Sequence, residues 1–209
     1  VTDIVVVIIA ADDDVMPQTI EAIDHARAAN VPIVIAINKV DKPNSNVDKI
    51  KQQLTEQKLV VEDYGGSVQC SEISAKTGMG IPELLDKILL EAEMLDLKAN
   101  ALVPAKGTVI ESRLDKGLGA VATVLVEKGT LKKGDIFICG TQYSKVRALL
   151  NERGVRIESA KPSDPVQILG FEEVPNAGDG LVIMKDEREA RRIALQRSQL
   201  KREAEQHRF

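Results

Sequence analysis

An α/β fold is what this sequence predicts: a partial doubly wound parallel sheet, then a small β-barrel, then a C-terminal helix. Three observations predict it. Apolar, β-branched runs alternate with helix-period segments over residues 1–97. Short alternating runs separated by glycine-bearing turns fill residues 98–185. Residues 186–209 are charged and carry only a thin apolar stripe. The first grammar is that of strands buried on both faces of a parallel sheet. The second is that of a small barrel, which removes exposed sheet edges.

The elements follow in order. Residues 3–11 (DIVVVIIAA) form the first buried strand. Pro17 suits the first turn of the next helix, with Ile20, Ile23 and Ala26 or Ala28 on its inner face. Residues 31–37 form the second strand, and a polar helix with a charged outer face spans 47–57. Gly65 and Gly66 break the chain before a third strand at 67–73. In the helix at 82–97, Leu84, Leu85, Ile88, Leu89 and Leu95 keep helical spacing. Three successive strand–helix units imply right-handed crossovers and a ligand crevice at the carboxyl ends of the strands. The loops leaving those ends are 11–16, 38–43 and 74–80. Residues 98–104 read as a linker. Barrel strands are expected at 106–112, 120–128, 135–139, 145–150, 165–171 and 181–185, and the tail from 186 is helical, with a possible Glu187–Arg191 pair.

Composition bounds the function. The chain has 209 residues, enough for one large or two small domains, and 44% hydrophobic with 29% charged residues is ordinary globular composition. With no Trp, two Tyr and three Phe, base stacking on aromatic platforms is excluded as the main activity. A net charge of −4 leaves nucleic-acid contact only to a local basic surface. Cys70 and Cys139 share no metal or redox spacing and read as reduced, buried thiols. No apolar run reaches the ~18 residues of a membrane span. The first residue is Val1, with no signal-peptide pattern. These features suit a cytosolic-type protein given as a piece of something longer.

Two strand-end loops carry chemistry. Asn38-Lys39-Val40-Asp41 follows the second strand, and Ser74-Ala75-Lys76 follows the third, one βα unit later. Guanine presents N1–H and N2–H₂ beside an acceptor O6, and one carboxylate in the base plane accepts both donors. Asp41 takes that role. A base without those donors would leave the carboxylate desolvated and unpaired, so discrimination is large. Asn38 offers its amide to the base edge and the neighbouring loop. Lys39 lays its stem on the ring face, with its ammonium toward the sugar or phosphates. Ala75 offers its N–H to O6, while Ser74 and Lys76 brace the turn, and Gly78 and Gly80 loosen it. Each motif alone is weak, since a loop Asp is usually a turn former or cap. Both motifs, in order and each directly after a buried strand, outweigh that reading. No GxxxxGK[ST] phosphate loop occurs in the sequence.

Asp12-Asp13-Asp14 could hold Mg²⁺ or supply a phosphotransfer nucleophile. A solvated loop before a helix N-terminus is preferred, because no partner Lys or Thr motif is evident. His25 and His207 lack metal-ligand spacing, and no metal site is expected. Lys132, Lys133, Lys145, Arg147, Arg153 and Arg156 gather in two stretches of the barrel. They read either as a solvated face or as a phosphate-backbone contact surface.

Buried strand, NKVD, buried strand, SAK, then a barrel is an order that resembles the translational GTPases, most closely the bacterial-type initiation factor 2 group. ADDDVMPQTIEAI, VPIVIAINKVDKP, ISAKTGMGIPELL and GTVIESRLDKGLGAVATVLVEKGTLKKGD carry the resemblance, extended by RALLNERG and LGFEEVPNAGD. It implies that residues 1–97 are the second half of a P-loop NTPase G domain. Residues 98–185 would be domain II, docking on small-subunit ribosomal RNA, and 186–209 the start of an interdomain helix. It implies GTP/GDP as ligand, with Mg²⁺ bound only in the intact protein, whose phosphate loop, switch segments and catalytic histidine would precede Val1. Hydrolysis would belong to that intact factor, with this stretch inactive alone. Implied partners are the small subunit and its rRNA, the large subunit on joining, and initiator tRNA through a domain after Phe209. A monomer in the cytoplasm, or in an organelle stroma or matrix, is expected. The rivals are a GTPase of elongation type, an rRNA-docking module without catalysis, and a Mg²⁺ phosphatase using Asp12. One departure stands out: Asp14 replaces a glycine usual in the family, which puts the loop geometry in question if a positive φ is needed there.

Overall fold

A computed structural model describes residues 1–206; the tail residues 207–209, including His207, lie outside the described residues. The chain divides into two compact units, Thr2–Leu97 and Lys98 onward.

In the first unit, β1 (Val5–Ala10), β2 (Ile33–Asn38) and β3 (Gln69–Glu72) form a parallel sheet in the order β1-β2-β3. Helices α1 (Pro17–Ala28), α2 (Val47–Glu56) and α3 (Ile81–Leu95) alternate with them. Both crossovers step the same way across the sheet, so right-handedness puts α1 and α2 on one face. Ile23 of α1 and Ile50 and Leu54 of α2 pack there on Val7, Ile9, Ile35, Ile37 and Cys70. Leu84 and Ile88 of α3 meet Val6, Val34, Ala36 and Ile73 on the opposite face. Period-2 alternation thus sends odd-numbered β1 and β2 residues to one core and even-numbered ones to the other. Ala26, and not Ala28, completes the inner face of α1.

Two expectations for this unit need correcting. The charges of α2, expected on its outer face, do not all lie there: Lys51 is 6% exposed, with its ammonium between Asp63 (2.5 Å) and Glu72 (2.9 Å). Its two carboxylates raise its pKa against the opposing effect of desolvation. On α3, Leu85 and Leu89 are 53% and 61% exposed, as is Ile8 of the edge strand β1 at 61%. Helical spacing locates a stripe but not the width of the surface that covers it.

The second unit holds β4 (Lys106–Asp115), β5 (Gly119–Lys128), β6 (Leu131–Lys132), β7 (Ile136–Cys139) and β8 (Gln142–Lys145). Then come β9 (Ala148–Leu150), β10 (Arg156–Ile157), β11 (Ser159–Ala160), β12 (Pro165–Phe171), β13 (Gly180–Met184) and helix α4 (Glu187–Gln206). Eight strands make a curled antiparallel sheet ordered β10-β9-β12-β5-β4-β13-β7-β8, and β11 pairs with β6 separately. The inward side chains surround Phe137 and Phe171, whose ring centroids lie 4.8 Å apart. The strand expected at 145–150 is bent into two. Its early part pairs with β7 as β8, and its later part pairs with β12 as β9. The Arg147 N–H between them donates to Leu169 O at 2.8 Å. The curl is therefore drawn together by one chain segment, while β10 remains an open edge, short of the closed barrel expected.

Helix α4 packs on β7, β8 and β13 through Ala190 and Ala194. Its ion pair is Glu189–Arg192 at 3.9 Å, three residues apart, and not the anticipated Glu187–Arg191. Both cysteines are free and buried, and burial pushes the Cys70 thiol up to about 11 and the Cys139 thiol up to about 12. Among the described residues no helix is long and apolar enough to cross a membrane.

Candidate functional site

The parallel register brings the carboxyl ends of β1, β2 and β3 to one rim of the first unit, since Ala10 pairs with Asn38 and Ile37 with Glu72. The loops that follow are stitched together. Ala11 N–H donates to Asn38 O at 2.7 Å, Val40 N–H to Ile73 O at 3.3 Å and Asn46 N–H to Ala11 O at 2.8 Å.

Asn38 is the central link. Its Oδ1 accepts the N–H of Lys39 at 2.8 Å and the N–H of Ala75 at 2.9 Å, joining the two motifs across 37 positions. The first of these bonds holds Lys39 at φ +65°, a left-handed conformation rare for a residue with a Cβ. The backbone turns there, which brings Val40 back to β3 and leaves Asp41 at the rim. Ala75 N–H, expected to face O6 of a base, is donated to Asn38 here. The carbonyl oxygen of Asn38 already satisfies it, so a purine oxygen would have to share or replace that bond.

Asp41 is exposed, yet its carboxyl is held below the usual carboxylate range. The Ser74 hydroxyl is the largest cause, with the Lys76 and Lys42 charges contributing further. Ser74 is fully buried, and its Oγ also accepts Thr77 N–H at 3.2 Å. The structure thus gathers Asn38, Lys39, Asp41, Ser74, Ala75 and Lys76 on two adjoining loops, with the acidic oxygens braced by the loop that carries Ala75. Gly80, at φ +72°, fixes this loop where loosening was expected: a Cβ there would stand 2.1 Å from Glu72 O. No larger residue fits between the motif and α3.

The loop after β1 departs from the solvated reading. The Asp12 side chain is only 12% exposed. Its Oδ2 meets Lys42 Nζ at 2.6 Å and its Oδ1 meets Lys39 Nζ at 3.3 Å. Asp14 accepts from Lys49 at 2.5 Å and from Gln53 Nε2 at 2.7 Å, while Gln53 Oε1 takes Val15 N–H at 2.9 Å. Asp14 does not have a positive φ, so this loop does not depend on a glycine there. Nor do the aspartates serve the following helix, whose first turn contains no acid. The partners of Asp12 and Asp14 lie 27 to 39 positions away, beyond any local pattern. With lysines on both, this loop does not fit Mg²⁺, and among the described residues no other group of His, Cys, Asp and Glu suits a metal. His25 lies on the exposed face of α1, 3.5 Å from Glu21.

On the second unit the six basic candidates lie on three segments that backbone hydrogen bonds join, with Gly134 N–H donating to Val146 O and Val146 N–H to Asp135 O, both at 2.9 Å. Lys132 and Lys133 flank the β6–β11 ladder, where Lys133 N–H donates to Glu158 O at 3.1 Å. Arg153 and Arg156 lie on the β9–β10 hairpin, Arg153 beside Glu152 at 3.6 Å. Lys145 and Arg147 mark the bend between β8 and β9, with the Arg147 guanidinium against Gly119. The β4–β5 hairpin whose turn ends at Gly119 also carries Arg113 and Lys116, which the charge runs in sequence did not single out.

Comparison with known proteins places this geometry. Residues 1–94 match the family model "Elongation factor Tu GTP binding domain", and residues 104–184 match "Elongation factor G domain 2". The chain is similar to translation initiation factor IF-2 of Chlorobaculum tepidum, with 58% identity over 98% of this chain and 23% of that protein. IF-2 of Thermoanaerobacter is 55% identical over 98% of this chain and 30% of its own length. The chain thus spans less than a third of the curated relatives it matches. Among solved structures, GDP-bound aIF5B from Aeropyrum pernix superposes with TM-score 0.79 at 27% identity, over 94% of this chain and 42% of that one. Elongation factor SelB from Methanococcus maripaludis, at 24% identity and TM-score 0.69, shares the fold over 88% of this chain and 40% of its own. Two adjacent family matches in translation-factor order, and more than half of all positions identical to the bacterial factors, mean that the chain belongs to the translational GTPases, in the initiation factor 2 branch.

Proposed function

We propose that this chain is the central part of a longer initiation factor and supplies the base-reading half of its guanine nucleotide site together with its ribosome-docking barrel. In this reading the intact factor uses GTP to place initiator tRNA on the small ribosomal subunit, promotes subunit joining and hydrolyses GTP. Residues 1–97 are the G-domain portion, 98–185 domain II and 186–209 the start of a connecting helix. One observation carries the base-reading role: a carboxylate, Asp41, braced by a buried serine hydroxyl on the neighbouring loop, beside an amide and an asparagine that tie the two loops together.

The geometry supports a role for each residue in this reading. Asp41 accepts the base N1–H and N2–H₂. Asn38 presents its NH₂ to the ring edge while its oxygen holds the loops. Lys39 covers a ring face, and Ala75 N–H turns to O6. Ser74 holds Asp41, and Lys76 keeps positive charge close to it. Phosphoryl transfer needs phosphate positioning and Mg²⁺, for which these residues offer nothing. The 209-residue chain alone therefore prefers GDP over ADP weakly and does not turn over GTP. Competition of GDP and ADP followed by amide NMR tests the preference, with equal binding contradicting it. Sustained Mg²⁺-dependent phosphate release from GTP by the purified chain would contradict the inactivity.

The match to IF-2 proteins over nearly the whole chain, at 58% identity, favours initiation over an elongation role, for which the support is the names of the two family models and fold likeness to SelB. Docking on ribosomal RNA through Lys132, Lys133, Lys145, Arg147, Arg153 and Arg156 is part of the same reading. Protection of small-subunit RNA by the chain without nucleotide is the expected footprint.

A further inference from the structure

We infer that Asp12 is a positioning residue of the base site: it clamps the ammonium groups of Lys39 and Lys42, setting the Lys39 stem and keeping Lys42 off Asp41. The inference deepens the guanine reading and rests on it.

Three observations carry the assignment. Asp12 sits at the carboxyl end of β1, one residue beyond Ala11, whose N–H and C=O are both bonded to the 38–46 loop. The backbone that carries this carboxylate is therefore fixed to that loop at the preceding residue. Its Oδ1 is sealed from solvent and has no hydrogen-bond partner, with only Lys39 Nζ near, at 3.3 Å. A carboxylate oxygen so placed is stable only while cations stay beside it. Lys42 is the third part. Its ammonium lies 2.6 Å from Asp12 Oδ2, and Asp41 is the other carboxylate that acts on it. At 46% exposure the Lys42 side chain has freedom to move once released.

Two acids thus compete for one lysine. While Asp12 holds it, Lys42 reaches Asp41 only as a charge at a distance, and the oxygens of Asp41, with the Ser74 hydroxyl beside them, remain exposed on the base side. Without Asp12, Lys42 relaxes onto Asp41 and occupies the acceptor positions that a guanine needs. Lys39 loses its anchor at the same time, and its stem no longer has a defined course over the ring. Two consequences of different kinds follow: a change in the titration of Asp41 without any ligand, and a loss of base preference with one.

The test uses Asp12→Asn, which keeps the shape, and the pair Asp12→Asn/Lys42→Ala in the full chain. The carboxyl ¹³C titration of Asp41 is followed by NMR. Asp12→Asn is expected to lower the Asp41 midpoint by about half a pH unit, and removing Lys42 as well is expected to restore it. A merely structural role for Asp12 would change the melting temperature but not this pattern. An Asp41 midpoint unmoved by Asp12→Asn, or lowered and not restored in the double variant, overturns the inference. If Asp12→Asn fails to fold, Lys42→Ala alone decides: a clamped Lys42 acts on Asp41 only as a charge at a distance, so the midpoint rises by less than roughly the half unit expected for Asp12→Asn, whereas a larger rise means that Asp12 never held it. GDP titrations separate the two readings. If the wild-type chain does not prefer GDP to ADP, the guanine reading fails whatever the carboxyl titration shows. If it does, Asp12→Asn should cut the preference roughly tenfold, the loss of one charge-assisted hydrogen bond, and an unchanged preference overturns the inference alone.

Discussion

Replacing Asn38 by alanine should unfasten the two base-site loops from each other. The side chain accepts two backbone N–H groups, from Lys39 at 2.8 Å and from Ala75 at 2.9 Å. Neutral hydrogen bonds of this kind contribute about 1 kcal/mol each, so the upper figure is ~2 kcal/mol. Both are near solvent, and water can replace Asn38 in part, which brings the expectation to about 1–2 kcal/mol. For a unit of roughly a hundred residues that corresponds to a fall in melting temperature of roughly 5–10 °C. The loss should also be local. Amide hydrogen exchange at Lys39 and Ala75 should accelerate strongly, while the centre of β2 at Val34–Ala36 changes only with global stability. Asn38→Asp separates stability from recognition. It retains the acceptor and should keep the melting temperature near that of the parent. It removes the NH₂ and adds a charge near Asp41, so guanine preference should disappear. If Asn38→Ala melts with the parent and leaves the Ala75 amide equally protected, the two-loop tie is not the organising contact described above.

Other expectations can be checked alongside. Ser74→Ala should raise the titration midpoint of Asp41 toward the ordinary value of about 3.9, because the hydroxyl is the largest cause of its depression. The sign follows from linkage: a depressed folded-state pKa stabilises the fold above the unfolded value, and that contribution disappears as pH falls through the folded value. The same holds for Asp12, Asp14, Asp63 and Asp115, all lowered, so stability measured by urea titration should decline as pH drops below about 4. Lys51→Met should be close to neutral in stability, whereas Asp63→Asn with Glu72→Gln, which strands a buried ammonium, should cost roughly 3 kcal/mol. Equal effects would mean that the ion pairs do not compensate the burial.

Much of this molecule could be read in one dimension. The strands of the first unit announced themselves because a parallel strand flanked by helices is apolar on both faces, and β-branched runs such as VVVIIA and IVIAIN are strand-length and bounded by turn residues. The base-site residues Asn38, Lys39, Asp41, Ser74, Ala75 and Lys76 were legible for a related reason. Strand ends dictate where loops emerge, and the topology carries those loops to one rim. Chain order and side-chain period are properties of sequence, and whatever depends on them alone was available from it.

What the tertiary structure decided is the pairing of charges and the state of the edges. Asp12 and Asp14 looked like unpaired surface acids, and the structure pairs them with Lys39, Lys42, Lys49 and Gln53, 27 to 39 positions away, while Lys51 is buried between carboxylates 12 and 21 positions away. A run of acids has the same local appearance whether water or lysines neutralise it, because Coulomb attraction depends on distance in space and not along the chain. The bend that splits β8 from β9, the open edge at β10, and the joining of the three basic segments by backbone hydrogen bonds have the same origin. Each follows from register between remote strands, settled only when the whole sheet curls.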